Sequence, residues 1–406
     1  MVPDGWELKG FGEIANIANG QVDPRVEPYC SLPHVGPENV ISDSGRVVGV
    51  KSCGELDLIS GKYQFDEYAI VYSKIRPNLN KVCIPGFSGL CSADMYPLWP
   101  KDGIDARFLL QLMLGPEFVG RTTAVSMRTG MPKINRSDLA AIPVKLPPLA
   151  EQEKVAEILS TWDKAIVVTE KLLKKSQHQK KALMQQLLTS KKRLGGFQMP
   201  WEKHRLEQLF SRVTTMNTEA NTNVVTISAQ HGLIRQEEFF SKAVASETLD
   251  NYFLIKKGQF AYNKSYSNGY PMGAIKRLNN YEKGVVTTLY ICFEVNDEAK
   301  CNPEFFEHYF ESGLLNKGLS KVANEGGRAH GLLNVKPSDF FGLNVFVPEI
   351  SEQKAIAAVI TSADQEIQSL QNGLACLKDE KKALMQQLLT GRRRVKIDET
   401  LQESPC

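Results

Sequence analysis

Lys180-Lys181-Ala182-Leu183-Met184-Gln185-Gln186-Leu187-Leu188-Thr189 recurs unchanged at Lys381–Thr390, an offset of 201 (381 − 180) in a chain of 406 residues. Ten identical residues at half the chain length mark a tandem duplication of one large unit. At the same offset Glu151-Gln152 lies over Glu352-Gln353, Pro147 over Pro348, Asp163 over Asp364 and Ile166 over Ile367. Ser137-Asp138 matches Ser338-Asp339 upstream, and Lys191-Lys192-Arg193 matches Arg392-Arg393-Arg394 downstream. The two halves also open alike, with Trp6-Glu7 answering Trp201-Glu202. Residues 10–129 and 205–330 show little mutual similarity. Each half is therefore a divergent block followed by a closely similar segment.

The similar segments have helical periodicity. Val155, Ile158, Trp162, Ile166, Leu173, Leu183 and Leu187 step by three or four residues or by sums of these. In the second copy Ile356, Val359, Ala363, Ile367, Leu370, Leu374, Leu384 and Leu388 do the same. The stripe is narrow, as in a coiled-coil seam, with Glu, Lys and Gln beside it. Prolines precede each run, Ser351 is the expected N-cap of the second, and Gly195-Gly196 and Gly391 are the expected stops. A helix from Glu151 to Thr189 would be about 58 Å long at ~1.5 Å per residue. Pattern alone also fits a core helix within each domain or a generic oligomerisation coil. Two matched helices in one chain can pair with each other, and antiparallel pairing needs no long crossover. The tail of the second would then return to the start of the first block.

The divergent blocks carry strand-like runs broken by Gly, Pro and Asn: RVVGVKSC, EYAIVYSKI, KVCIPGF and MYPLWP in the first, and NVVTISA, QFAYNKS, GAIKRL and VVTTLYICFEV in the second. Each also has a helical stretch, ARFLLQLMLGPEFVGRTTAV or NPEFFEHYFESGLLNKGL. The expected class is α+β: two mixed α/β domains separated by an antiparallel coiled coil of two long helices, with pseudo-twofold duplication. The boundaries follow as 1–146, 147–195, 196–347 and 348–406.

Two stretches in each block suit contact with a polyanion. In the first, YSKIRPNLNK carries Lys74, Arg76, Asn78, Asn80 and Lys81, and SMRTGMPKINR adds Arg128, Lys133 and Arg136. In the second, YNKSYSNGY carries Asn263, Lys264, Tyr266 and Asn268, followed by Lys276 and Arg277, and ANEGGRAHG adds Arg328 and His330. Lys and Arg neutralise phosphates, Arg reads guanine and Asn can bond adenine edge-on. Ordinary solvated loops are the plain alternative for any one of these residues.

Composition is that of a folded protein, with 42% hydrophobic and 23% charged residues and a net charge of +3. There is no apolar run of membrane-spanning length and no signal-peptide core near the N-terminus, so a soluble, cytoplasmic protein is expected. The eight cysteines form no C-x-x-C pair, which points to reduced thiols and no metal site. The chain has no G-x-x-x-x-G-K-[ST], no Asn-Pro-Pro-aromatic motif and no hydrolase triad pattern. Pro3-Asp4 and Glu7-Leu8-Lys9 are too close together to form a nuclease metal site. Binding rather than catalysis is the expected role.

The segments DLAAIPVKLPPLAEQEKVAEILSTWDKAI and FVPEISEQKAIAAVITSADQEI, each followed by KKALMQQLLT, resemble the repeated regions of specificity subunits of type I restriction–modification enzymes. SKIRPNLNKV and MRTGMPKINRSDL resemble loops of that family's target-recognition domains, and the likeness covers nearly the whole chain. It implies a prokaryotic host-defence protein that binds double-stranded DNA without catalysing a reaction. Each block would read one half of a bipartite target, and the helices would set the spacing. It further implies two methyltransferase subunits and restriction/translocase subunits as partners. S-adenosylmethionine, ATP and Mg²⁺ would belong to those partners alone. A coiled-coil adaptor without sequence recognition is the alternative.

Overall fold

A computed structural model describes residues 2–127, 132–228, 232–239, 249–325 and 333–397. The chain divides into two compact units, residues 1–172 with 371–406, and residues 173–370. The division falls within two 39-residue helices, Leu149–Leu187 and Ile350–Leu388.

In the first unit, strand Glu7–Gly10 pairs antiparallel with Pro143–Leu146, tying the start of the block to its end. The central sheet runs in the order Ala15–Ile17, Met95–Pro100, Ile70–Ser73, Val82–Cys83. All four residues of Ile70–Ser73 are buried, as expected of an inner strand covered on both faces. A second four-stranded sheet contains Pro33–Val35, Gly89–Cys91, Tyr63–Phe65 and Lys51–Ser52. Helices Ala106–Leu114 and Pro116–Ser126 pack on this core through Phe108, Leu109, Leu112 and Phe118.

The second unit repeats this plan with other side chains. Glu202–Arg205 pairs with Asn344–Val347, and the central sheet runs Phe210–Val213, Ile291–Val295, Phe260–Asn263, Ala274–Arg277. The first four-strand order is thus repeated, strand for strand, by a sequence that barely resembles it. The filling differs: Phe260 stacks on Phe293 at 5.3 Å, and Phe210 meets Phe306 edge-on at 4.9 Å. Rings of this size fill the space that Ile, Leu and Met fill in the first unit.

Within each unit the two long helices run antiparallel. In the first, Asp163 meets Lys381 at 2.6 Å and Glu170 meets Lys378 at 2.9 Å. In the second, Asp364 meets Lys180 at 2.5 Å, and Ser176 donates to Glu366 at 3.0 Å. Partner numbers fall as the helix number rises, which fixes the sense.

The repeated Glu-Gln pair joins each block to its helix. Gln152 accepts from the Asp105 N–H and donates to the carbonyls of Gly103 and Pro147; Gln353 accepts from the Asn302 N–H and donates to those of Lys300 and Pro348. Asp105 and Asn302 are themselves N-caps, accepting from the Phe108 and Phe305 N–H groups at 2.8 Å. Glu151, 1% exposed, is held by Arg394 at 2.7 Å and by the Trp6 indole at 3.0 Å. Glu352, 0% exposed, is held by Arg193. Arg394 also donates to the Asp4 carbonyl, so the tail returns to the start of the first block as expected.

Three details of the helices differ from the sequence expectation. Ser351 lies inside the second helix, which begins at Ile350, and its hydroxyl donates to the Glu349 side chain rather than capping. The first helix ends at Leu187 and is followed by Ser190 in the left-handed region (φ +57°), well before Gly195; Gly391 (φ +70°) holds the matching place after the second. The buried stripe is also broader than a seam at the helix ends. Val155, Ala156 and Leu159 join Met385, Leu388 and Leu389 in the first core, while Ile356, Ala357 and Ile360 join Met184, Leu187 and Leu188 in the second. These ends pack against a block as well as against the other helix. Leu173, Leu370 and Leu374 are only partly buried.

One substitution between the copies makes the second unit sensitive to acid. Gln111 donates to Asp163 at 2.8 Å in the first unit; in the second the corresponding helix offers His308, whose Nδ1 lies 3.9 Å from Asp364. His308 Nε2 bonds Thr361 at 2.9 Å. Burial pushes the imidazole below its ordinary pKa, against the pull of Asp364, Glu311 and Glu304 and with the push of Lys180. The folded state therefore favours neutral His308. Its contribution to stability is complete above about pH 6.5, the unfolded value, and declines as pH falls below that. His308→Gln should flatten this acid limb, seen by comparing thermal midpoints at about pH 5.5 and 7.5.

Candidate nucleic-acid interface

In the first unit the two basic stretches are brought side by side. Ile75 forms an antiparallel bridge with Lys133, the Arg76 N–H donates to the Pro132 carbonyl at 2.8 Å, and the Ile134 N–H donates to the Lys74 carbonyl at 2.9 Å. Arg76, in the left-handed region (φ +46°), starts the short turn Pro77–Leu79 and is exposed, as are Asn78 and Lys133. Lys74 is 8% exposed, with Nζ 4.9 Å from the Tyr96 ring centre and 5.9 Å from that of Tyr63. Arg136 crosses the Tyr96 ring at 5.5 Å and is steadied by the Ala18 carbonyl and Asn19. Burial, then nearby Lys133, lowers the Lys74 pKa.

Two other candidates in this stretch serve the loop itself. Asn80 is buried and donates to Asp43 at 2.8 Å and to the Leu114 carbonyl at 3.1 Å. Lys81 donates to the Pro37 carbonyl at 2.5 Å. Arg128 lies outside the described residues.

In the second unit Lys264 follows strand Phe260–Asn263, and its carbonyl accepts from the Leu333 N–H at 3.0 Å. Asn263 accepts from the Ser265 N–H, shaping the bend. Tyr266 is 62% exposed and Asn268 is exposed, the latter before Gly269 (φ +84°) in a tight turn closed by Ser267 and Tyr270. Burial, with Arg212 next, lowers the Lys264 pKa. Lys276 and Arg277 face the acidic side of helix Pro303–Glu311 instead. Lys276 pairs with Glu311 at 2.5 Å; Arg277 pairs with Glu304 at 3.1 Å and lies 3.7 Å from Glu307. Arg328 and His330 lie outside the described residues.

Tyr63, Tyr96 and Arg212 do not stand out in the sequence. Tyr96 falls in the strand-like run MYPLWP, Tyr63 lies outside every run quoted above, and Arg212 lies 52 positions before Lys264 (264 − 212). Among the described residues no His, Cys, Asp and Glu cluster could hold a metal ion, and no helix is long and apolar enough to cross a membrane.

Each unit thus presents a different set of basic, amide and aromatic groups on the same framework, the arrangement of a paired recognition protein. Residues 3–176 match the family described as type I restriction modification DNA specificity domain. The EcoDI specificity subunit of Escherichia coli is 40% identical over 154 residues, which are 38% of this chain and only 34% of that subunit. The MjaVIII specificity subunit of Methanocaldococcus jannaschii is 23% identical over 97% of this chain and 94% of its own. Among solved structures, the HsdS subunit from Thermoanaerobacter tengcongensis aligns with a TM-score of 0.52 and 18% identity over 97% of this chain and 98% of its own. The S subunit from M. genitalium gives 0.58 and 13%, over 96% of both chains. Residues 3–176 thus match the specificity-domain family, and the relatives similar along almost the whole chain are named as specificity subunits of type I restriction enzymes.

Proposed function

We propose that the chain is the non-catalytic DNA-reading subunit of a type I restriction–modification complex, each unit recognising one half of a bipartite, asymmetric target. The observation that carries the reading is the repeated strand order under unlike surfaces: Arg76, Lys133 and Arg136 in one unit, Tyr266 in the other. One framework fixes how a unit meets the duplex, while different side chains read different base edges. The long helices set the gap between half-sites and offer a similar face twice, which suits two copies of a methyltransferase subunit. Methyl donor, ATP and Mg²⁺ act on the methyltransferase and restriction subunits, and the complex works in the cytoplasm.

Co-expression with the cognate methyltransferase, followed by mapping of methylated adenines, tests this. A motif of two short defined halves separated by a fixed undefined gap is expected. A single continuous motif, or no methylation, would overturn it.

A further inference from the structure

Two lysines in the divergent blocks occupy one and the same structural position. Tyr72 pairs with Tyr96 on one neighbouring strand and Val82 on the other; Tyr262 pairs with Ile291 and Ile275 on the corresponding strands. The two registers superpose Tyr72 on Tyr262, and two residues further on Lys74 on Lys264. Each lysine carbonyl also accepts from the segment that leads to the last short helix, at Ile134 or at Leu333, two residues short of the position that answers Ile134. Both tyrosines are almost completely buried, so each fixes the strand end from which its lysine projects.

Among the described residues neither lysine has a salt-bridge partner within 4.0 Å, whereas Lys276, Lys283, Lys378 and Lys381 all do. Their charged neighbours are mostly cations: Lys133 and Arg136 around Lys74, with Asp94 as a counterweight, and Arg212 near Lys264. Partly buried ammonium groups gathered with other cations repel one another, and an arriving anion relieves that cost.

We propose that Lys74 and Lys264 are a matched pair of phosphate anchors, one per unit, which hold each unit on the DNA backbone and carry no sequence information. The inference rests on the DNA-reading function proposed above and divides its residues into two classes. A side chain that is the same at the same place in both units cannot tell one half-site from an unlike one. An ammonium is also a compact charge without the fixed fork by which arginine reads guanine. Discrimination then falls to the groups that differ, Arg76 and Arg136 against Tyr266.

The test uses the full-length chain assembled with its methyltransferase and two duplexes, one carrying the mapped target and one with both half-sites scrambled. Lys74→Met and Lys264→Met are each expected to weaken binding to both duplexes by the same factor. Each should make the slope of log affinity against log salt shallower by about 0.9, the share of one phosphate contact. The methylated motif should stay unchanged, and Lys→Arg at either position should restore the salt slope. Loss of target preference, a changed base in the methylated motif, or unaltered binding to both duplexes in either Met variant would overturn the anchor. A wild-type complex with no preference between the duplexes would instead defeat the DNA-reading function, and the anchor with it.

Discussion

Leu159→Ala lowers the stability of the first unit by about 2–5 kcal/mol, while Leu173→Ala, fourteen positions along the same helix, costs far less. Both are leucines of one helical run, but their surroundings differ. Leu159 is 0% exposed and lies in the core shared by Phe108, Leu112, Met385 and Leu389. Removing its side chain leaves a cavity walled by a sheet-and-helix block and by the second helix, which cannot close in without moving both. Leu173 is only partly buried, and water fills the space its truncation leaves. Urea unfolding followed by one probe in each unit checks the difference, because Leu159 lies in the first unit and Leu173 at the edge of the second. Equal losses at the two positions would mean that the helix pair, rather than its attachment to the block, carries the stability.

The buried carboxylates predict a second asymmetry. Arg193→Ala should lower the unfolding midpoint of the second unit by more than Arg394→Ala lowers that of the first. Without Arg394, Glu151 still accepts from the Trp6 indole. Glu352 lacks that support, because the Trp201 indole N–H has no partner among the described residues, so its carboxylate would be buried without a counter-charge. Stranding a buried charge costs far more than the intact pair contributes. Arg193→Lys should recover part of the loss, since a lysine supplies the charge without the two-pronged contact. Thermal midpoints of the three variants decide the matter; equal losses in the alanine variants would count against it.

The helices were legible because duplication and periodicity are both local in sequence. The width of their buried face was not. Ala156, Leu159, Met184, Leu188, Ala357, Ile360, Met385 and Leu389 sit one position beside the expected stripe, and they are buried by blocks whose placement no helical period encodes. The Glu-Gln pair was equally visible as a repeat yet mute about its purpose. Glu352 finds Arg193 across 159 residues and Gln353 finds Asn302 across 51. In the candidate interface, residue type alone pointed to both basic stretches of the first unit, and the Ile75–Lys133 bridge joins them. It did not separate the exposed Arg76 from Asn80, which is spent on Asp43 and Leu114, or Lys264 from Lys276, which is spent on Glu311. Such distinctions depend on which acceptor folding brings near a given side chain.

The clasp between Glu151 and Arg394 has a consequence in time. The two residues are 243 apart in the chain. At a synthesis rate of about 5–20 residues per second, Glu151 leaves the peptidyl-transferase centre about 12–50 s before Arg394 is added. Its unit also needs Met385, Leu388 and Leu389 to close its core. Glu352 meets no such delay, because Arg193 precedes it, and all of residues 173–370 are made before the last segment of the first unit. The half of the protein that begins first is completed last. A ribosome stalled after the second unit has emerged would carry one finished unit and one still open, with a hydrophobic groove awaiting the final helix.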